Sequence, residues 1–185
     1  MKYLVIGHSW VRRLADYRLL LPSGADILGV GGATFRSAVP LLESYAARPE
    51  VRDQPPFLVI VVLGGNEVAN ATSCADVDNN IIIRCQEFCA LIKERFPEAK
   101  IACCQVEDRF QLIPRVVIDD HKRFGNRFNT WLNRWRGKDA LVTIKGARVL
   151  SDPEMYLVDG VHLNATGYGR FCQRLTHVIW KLWQN

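Results

Sequence analysis

Residues 57–63 read Phe-Leu-Val-Ile-Val-Val-Leu, an unbroken run of apolar and largely β-branched side chains of strand length. A strand wetted on one face alternates apolar with polar; one without alternation is buried on both faces, as in a parallel sheet covered by helices. The rest of the chain supplies matching parts. Strands are predicted over residues 2–7, 25–30 (running into Gly31-Gly32), 100–106 and 141–144. Helical spacing of apolar side chains predicts helices over residues 10–17, 37–47, 76–96, 121–135 and 163–183. Residues 66–74 are expected to be a polar loop, and residues 110–120 an irregular excursion around Pro114. The alternation predicts an α/β fold: a doubly wound, mostly parallel sheet of about five strands with helices on both faces.

A chain of 185 residues is expected to form one domain, residues 1–185, with enough length for a substantial core. Its apolar runs fall far short of the ~20 residues that span a bilayer, so no membrane helix is expected. The five apolar residues before His8 are fewer than the ~7–15 of a secretory signal, which makes the cytoplasm the expected location. The six cysteines, Cys74, Cys85, Cys89, Cys103, Cys104 and Cys172, sit mostly in apolar periodic segments without C-x-x-C pairs or a histidine cluster, so buried free thiols are expected and a metal site is not. Net charge is +5, a basic excess that could favour an acidic substrate or a nucleic-acid neighbour. The basic residues are spread along helices rather than gathered in a tract, which reads more simply as solvated helix faces.

In such sheets ligands bind beyond the carboxyl ends of the strands. Ser9, Gly31-Gly32 and Asn66 follow the first three predicted strands at that end, and Asp159-Gly160-Val161-His162 lies in the loop before the last helix. A serine hydroxyl becomes a nucleophile when an imidazole takes its proton, and the imidazole needs a carboxylate to fix its tautomer. Ser9, His162 and Asp159 could fill those roles, with the Ser9 amide, the Gly32 amide and the Asn66 side chain as oxyanion donors. Taken singly, each has an ordinary structural role: Ser9 as a helix N-cap, Gly31-Gly32 as a tight turn, Asn66 as an Asx turn, and Asp159 and His162 as loop residues before a helix capped by Asn164.

Together, Gly7-His8-Ser9, Gly32, Gly64-Gly65-Asn66-Glu67 and Asp159-Gly160-Val161-His162 resemble, in order and spacing, the four blocks of the SGNH hydrolases, or GDSL esterase/lipases. The resemblance covers nearly the whole chain. It implies a flavodoxin-like three-layer α/β/α sandwich with Ser9 as nucleophile, His162 as base and Asp159 as orienter. It further implies an oxyanion hole of Ser9, Gly32 and Asn66, with no metal or organic cofactor. Two positions depart from the family pattern, His8 and Glu67 each replacing an aspartate. The Gly-His-Ser variant resembles a divergent branch of the superfamily, with some members in eukaryotic and mobile-element proteins. His8, Trp10, Glu67 and Val161 are candidates to face substrate.

The nucleophile elbow Gly-x-Ser-x-Gly is absent, Val11 standing at its last position, and neither a dinucleotide fingerprint nor a Walker A motif occurs. Phe124, Phe128, Trp131 and Trp135, interleaved with arginines, could stack nucleic-acid bases, but their helical stripe reads first as a core face. Trp180 and Trp183, if uncovered, would suggest a dimer surface or a partner domain. The expected function is a serine esterase cleaving short acyl esters, acetyl foremost, acting as a monomer or weak dimer on a small substrate. The alternative is an inactive binding or accessory module of the same fold, associated with nucleic acid or a mobile element.

Overall fold

The computed structural model describes residues 1–107, 109–110, 118–135, 141–144 and 152–184. Five strands form the sheet: β1 (Tyr3–Gly7), β2 (Ala25–Gly29), β3 (Leu58–Val62), β4 (Lys100–Cys104) and β5 (Leu141–Ile144). Their order is β2-β1-β3-β4-β5, with each neighbouring pair parallel. Every residue of β1 and β3 is buried, as the unalternating sequence of β3 requires. The two faces divide by period two: Leu4, Ile6, Val59, Val61, Ile101 and Cys103 join one core, and Tyr3, Val5, Leu58, Ile60, Ala102 and Cys104 the other. Each fully buried aliphatic side chain contributes about 1.5–3 kcal/mol relative to exposure.

Helices cover both faces, giving the three-layer α/β/α arrangement. On the first face lie α2 (Phe35–Ala46), α6 (Ile83–Arg95) and α7 (Ile118–Trp135), with α3 (Pro49–Asp53), α4 (Gly65–Asn70) and α5 (Cys74–Asp76) as shorter pieces. On the second lie α1 (Ser9–Leu14) and α8 (Ala165–Trp183). Phe124, Phe128 and Leu132 bury the α7 stripe, with Trp131 and Trp135 stacked against its edge, so the aromatic row is a core face. Trp180 and Trp183 remain half-exposed.

Four sequence expectations change in detail. The helix predicted from Trp10 begins at Ser9 and gives way at Ala15–Leu20 to a 3₁₀ segment. The helix over 76–96 reaches α6 through a π-helical stretch, Val77–Ile82. The polar loop over 66–74 is helical in its first half, because Glu67, Val68 and Ala69 of α4 are buried rather than solvated. Of the expected irregular excursion, residues 111–117 lie outside the described residues, and Ile118–Asp120 already belong to α7. Five cysteines are buried and Cys74 is half-buried. The thiols of Cys85, Cys89 and Cys103 gather within 4.8 Å of one another, a grouping their spacing does not reveal. Among the described residues no helix is long and apolar enough to cross a membrane.

Register determines where the site forms. Gly7 stands opposite both Gly29 of β2 and Val62 of β3, so three strands end at one level. The chain leaves β1 in one direction to make β2 and returns on the other side to make β3, so this level is the switch point of the sheet. The approach is close: a Cβ at Gly7 would overlap the Val62 carbonyl, and one at Gly29 would overlap the backbone of Arg12 in α1. Gly29→Ala is expected to lower stability by about 1–3 kcal/mol or more, since backbone cannot yield as a side-chain tip does. Urea unfolding of the purified variant measures it, and an unchanged midpoint would refute the packing argument.

Candidate active site

Ser9 is the first residue of α1, and it is not the cap. His8 takes that position in extended conformation, its Nδ1 accepting the Trp10 backbone N–H at 3.3 Å. The Ser9 hydroxyl is therefore not spent on its own helix, and it lies 3.0 Å from Nε2 of His162. His162 Nδ1 lies 2.7 Å from Asp159 Oδ2, while Asp159 Oδ1 accepts the backbone N–H groups of Val161 and His162 at 2.9 and 2.8 Å. Residues 153 positions apart thus form one hydrogen-bonded line.

The loop that carries Asp159 and His162 is held at both ends and at its tip. A β-bridge pairs Tyr156 with Leu163, the Leu157 N–H donates to the His162 carbonyl, and Gly160 turns the chain with φ of 60°. The Trp10 indole N–H donates to the Val161 carbonyl at 2.9 Å, and the Tyr168 hydroxyl donates to the Trp10 carbonyl at 3.1 Å. Trp10, expected to face substrate, is buried; it lines the cavity but serves mainly to clamp the histidine loop onto α1. Its indole reaches across to the histidine loop, a role that nothing in its local sequence announces. Asn164 caps α8 by accepting the Gly167 N–H.

Asn66 stands in the first turn of α4, not in a loop. Its Nδ2 donates to the Ala33 carbonyl at 2.9 Å, which leaves one amide hydrogen uncommitted. Its Oδ1 accepts from Nη2 of Arg109 at 3.0 Å, and the same nitrogen donates to the Gly65 carbonyl at 3.0 Å. Arg109 thereby fixes which end of the Asn66 amide faces which neighbour. Sequence reasoning did not single it out, since a lone arginine after a strand carries no pattern.

Gly32 occupies the third position of a turn closed by the Ala33 N–H on the Val30 carbonyl, with φ of 72°, the conformation that favours glycine in a type II turn. It is exposed, has open space where a Cβ would stand, and is not among the residues that line the Ser9 cavity. Its turn is tied to the site through the Ala33 carbonyl held by Asn66.

Glu67 does not face substrate. It is buried, its Oε1 accepts the Phe35 N–H at the start of α2, and its Oε2 has no hydrogen-bond partner among the described residues. Burial, outweighing the backbone hydrogen bonds, raises its pKa. The residue ties α4 to α2 beneath the site. Val161 lines the cavity together with His8, Ser9 and Asn66.

The charge states follow from these contacts. Burial alone would push the Asp159 carboxyl up, but hydrogen bonds from the His162 backbone and ring and from Val161 outweigh it and hold the group at about 2. His8 is driven down to about 3, first by burial and then by the charges of Arg109 and His162. It is a neutral imidazole whose Nδ1 is an acceptor, so its proton sits on Nε2. His121, buried on α7, falls to about 4 by burial and by Arg109.

The pattern of the GDSL-like lipase/acylhydrolase family matches residues 6–170, a span that includes every residue of the Ser9-His162-Asp159 line. No curated protein sequence matches the chain. Solved structures resemble it in fold. A GDSL-like lipase from Bacteroides thetaiotaomicron is 19% identical with a TM-score of 0.76, covering 97% of this chain and 88% of that one. The family 3 carbohydrate esterase of Clostridium thermocellum is 16% identical with a TM-score of 0.67, covering 98% and 96%. A variant acetyl esterase with an acetate ion is 15% identical with a TM-score of 0.66, covering 98% of each. Sheet order, block positions and the family match lead to one conclusion: the chain belongs to the GDSL-like lipase/acylhydrolase family.

Proposed function

We propose that this protein hydrolyses esters of short acyl groups, acetyl foremost, through a Ser9 acyl-enzyme. The observation that carries this reading is the continuous line from Asp159 through His162 to Ser9, at 2.7 and 3.0 Å. His162 Nε2 takes the hydroxyl proton as Ser9 Oγ bonds to the carbonyl carbon, and Asp159 holds the imidazolium that results. The oxyanion is met by the Ser9 amide at the start of α1 and by the free hydrogen of Asn66 Nδ2, while the expected third donor, Gly32, stands outside the cavity lining and is tied to it only through the Ala33 carbonyl that Asn66 holds. As the intermediate collapses, the bond to the leaving oxygen breaks and His162 returns the proton to the departing alcohol. Water, deprotonated by the same imidazole, then cleaves the acyl-serine and restores Ser9.

A short acyl group is supported by the likeness in fold to an acetyl esterase. The competing reading, a non-catalytic module, would rest on the departures from the family pattern at His8 and Glu67. Both have structural work here, capping α1 and tying α4 to α2, and neither interrupts the Ser9-His162-Asp159 line.

Aryl esters from acetyl upward, assayed with the wild type and Ser9→Ala, are expected to show turnover fastest on acetyl and reduced about 10³-fold or more by the substitution. A folded protein with no Ser9-dependent turnover at any chain length would move the assignment to the binding module. Asn66→Ala is expected to lower kcat about 10²–10³-fold with little change in KM; a change confined to KM would remove Asn66 from the oxyanion site.

Acid stability provides a separate check. His8 and His121 titrate in the folded state at about 3 and about 4, below their ordinary 6.5, so the unfolded chain binds protons that the folded chain refuses. Their contribution is complete above pH 6.5 and is lost as pH falls towards about 4 for His121 and about 3 for His8, by up to about 1.4 kcal/mol per pH unit for each histidine. Urea midpoints between pH 7 and 4.5 should fall in the wild type and fall less steeply in His121→Gln. Equal slopes would mean that His121 is not held neutral.

A further inference from the structure

The wall of the Ser9 cavity carries several hydrogen-bond donors that are not fully paired among the described residues. Arg109 spends both hydrogens of Nη2 on Gly65 and Asn66, while its Nε and Nη1 hydrogens make no hydrogen bond to a described residue. Arg174 of α8 lines the same cavity and makes no ion pair with a described carboxylate. His8, neutral and protonated on Nε2, is a third donor. Arg109 Nη2, already committed, and His8 Nε2 each stand 3.8 Å from the point where a Cβ of residue 65 would lie, so the guanidinium and the imidazole meet over a bare glycine floor.

The carboxylate of the catalytic line is engaged elsewhere. Asp159 commits both oxygens to its own loop and to His162. Glu107 also lines the cavity; it has interactions of its own and stands close enough to Cys104 to raise that thiol. Burial lowers the pKa of Arg109, the mark of a guanidinium partly stripped of water, and among the described residues no carboxylate forms an ion pair with it. A cation in that condition is costly until an anion or a set of acceptors meets it.

We propose that this cavity is an anion subsite, and that the substrate is an ester bearing a carboxylate or phosphate group bound by Arg109 and Arg174. The chemistry rests on the ester-hydrolase reading above, whereas the binding does not. Arg109 joins the anion to the reaction, since the guanidinium that would bind it also holds Asn66 by its Oδ1.

Matched probes separate the two readings. The acetyl ester of 4-hydroxybenzoate is compared with that of 4-hydroxybenzamide, and 4-nitrophenyl hemisuccinate with 4-nitrophenyl butyrate, so that the anion lies on the leaving group in one pair and on the acyl group in the other. In at least one pair the anionic ester is expected to have the higher kcat/KM by about ten- to a hundredfold, the range of one or two charged hydrogen bonds. That ratio should fall towards unity in Arg174→Gln and be retained better in Arg174→Lys, and it should shrink with added salt. Ser9-dependent turnover with no anionic preference in either pair would overturn the subsite and leave the esterase standing. If Ser9-dependent turnover is absent altogether, calorimetric binding of 4-hydroxybenzoate, hemisuccinate and inorganic phosphate decides the question. Binding by the wild type that Arg174→Gln weakens at least tenfold upholds the subsite, and equal binding by both proteins overturns it.

Discussion

The close meeting of Gly7 with its two neighbouring strands is the constraint on which the site depends. Because the Val62 carbonyl occupies the space where a Cβ of residue 7 would stand, β1 and β3 end together and the chain can turn directly into α1. Gly29 allows the same on the other side, where the backbone of Arg12 crosses β2 without an intervening side chain. The loops after β1, β2 and β3 therefore open on one edge at the point where strand order reverses.

Onto that edge the structure draws a loop from the far end of the chain. The Trp10 indole and the Val161 carbonyl are 151 residues apart, yet their hydrogen bond sets the distance between the serine and histidine segments more directly than any covalent path. His8 contributes by substitution of roles: as the cap of α1 it satisfies the Trp10 amide, which releases the Ser9 hydroxyl for His162. Arg109 acts similarly on the opposite wall, where it holds Asn66 by the oxygen and leaves the nitrogen for Ala33 and for the reacting centre. In each case a neighbour consumes the bond that would otherwise misdirect a reactive side chain.

The same neighbours set the electrostatics. Burial, reinforced by the charge of Arg109, keeps His8 and His121 neutral, while Asp159 remains a carboxylate because its hydrogen bonds exceed the effect of burial. The site combines an ionised carboxylate committed to His162 with arginines that form no ion pair with a described carboxylate, which links the proposed chemistry to the proposed charge of its substrate.

Much of this was legible in the residues themselves. The unalternating run over 57–63 and the helical stripes determined a parallel sheet covered on both faces, because burial on two sides and on one leave different periods. The blocks around Ser9, Asn66, Asp159 and His162 indicated the family for a local reason: each is a short motif whose meaning lies in its own spacing. Tertiary structure alone decided the roles of residues whose partners are distant. Glu67 reads as a polar loop residue until packing buries it under α2, and Trp10 reads as a pocket residue until Val161 arrives from 151 positions away. Arg109 carries no motif, and the gathering of Cys85, Cys89 and Cys103 follows from helix α6 lying across β4. Periodicity and motif record what a residue needs from its immediate neighbours; which distant group satisfies a buried donor or carboxylate is set only when the layers close.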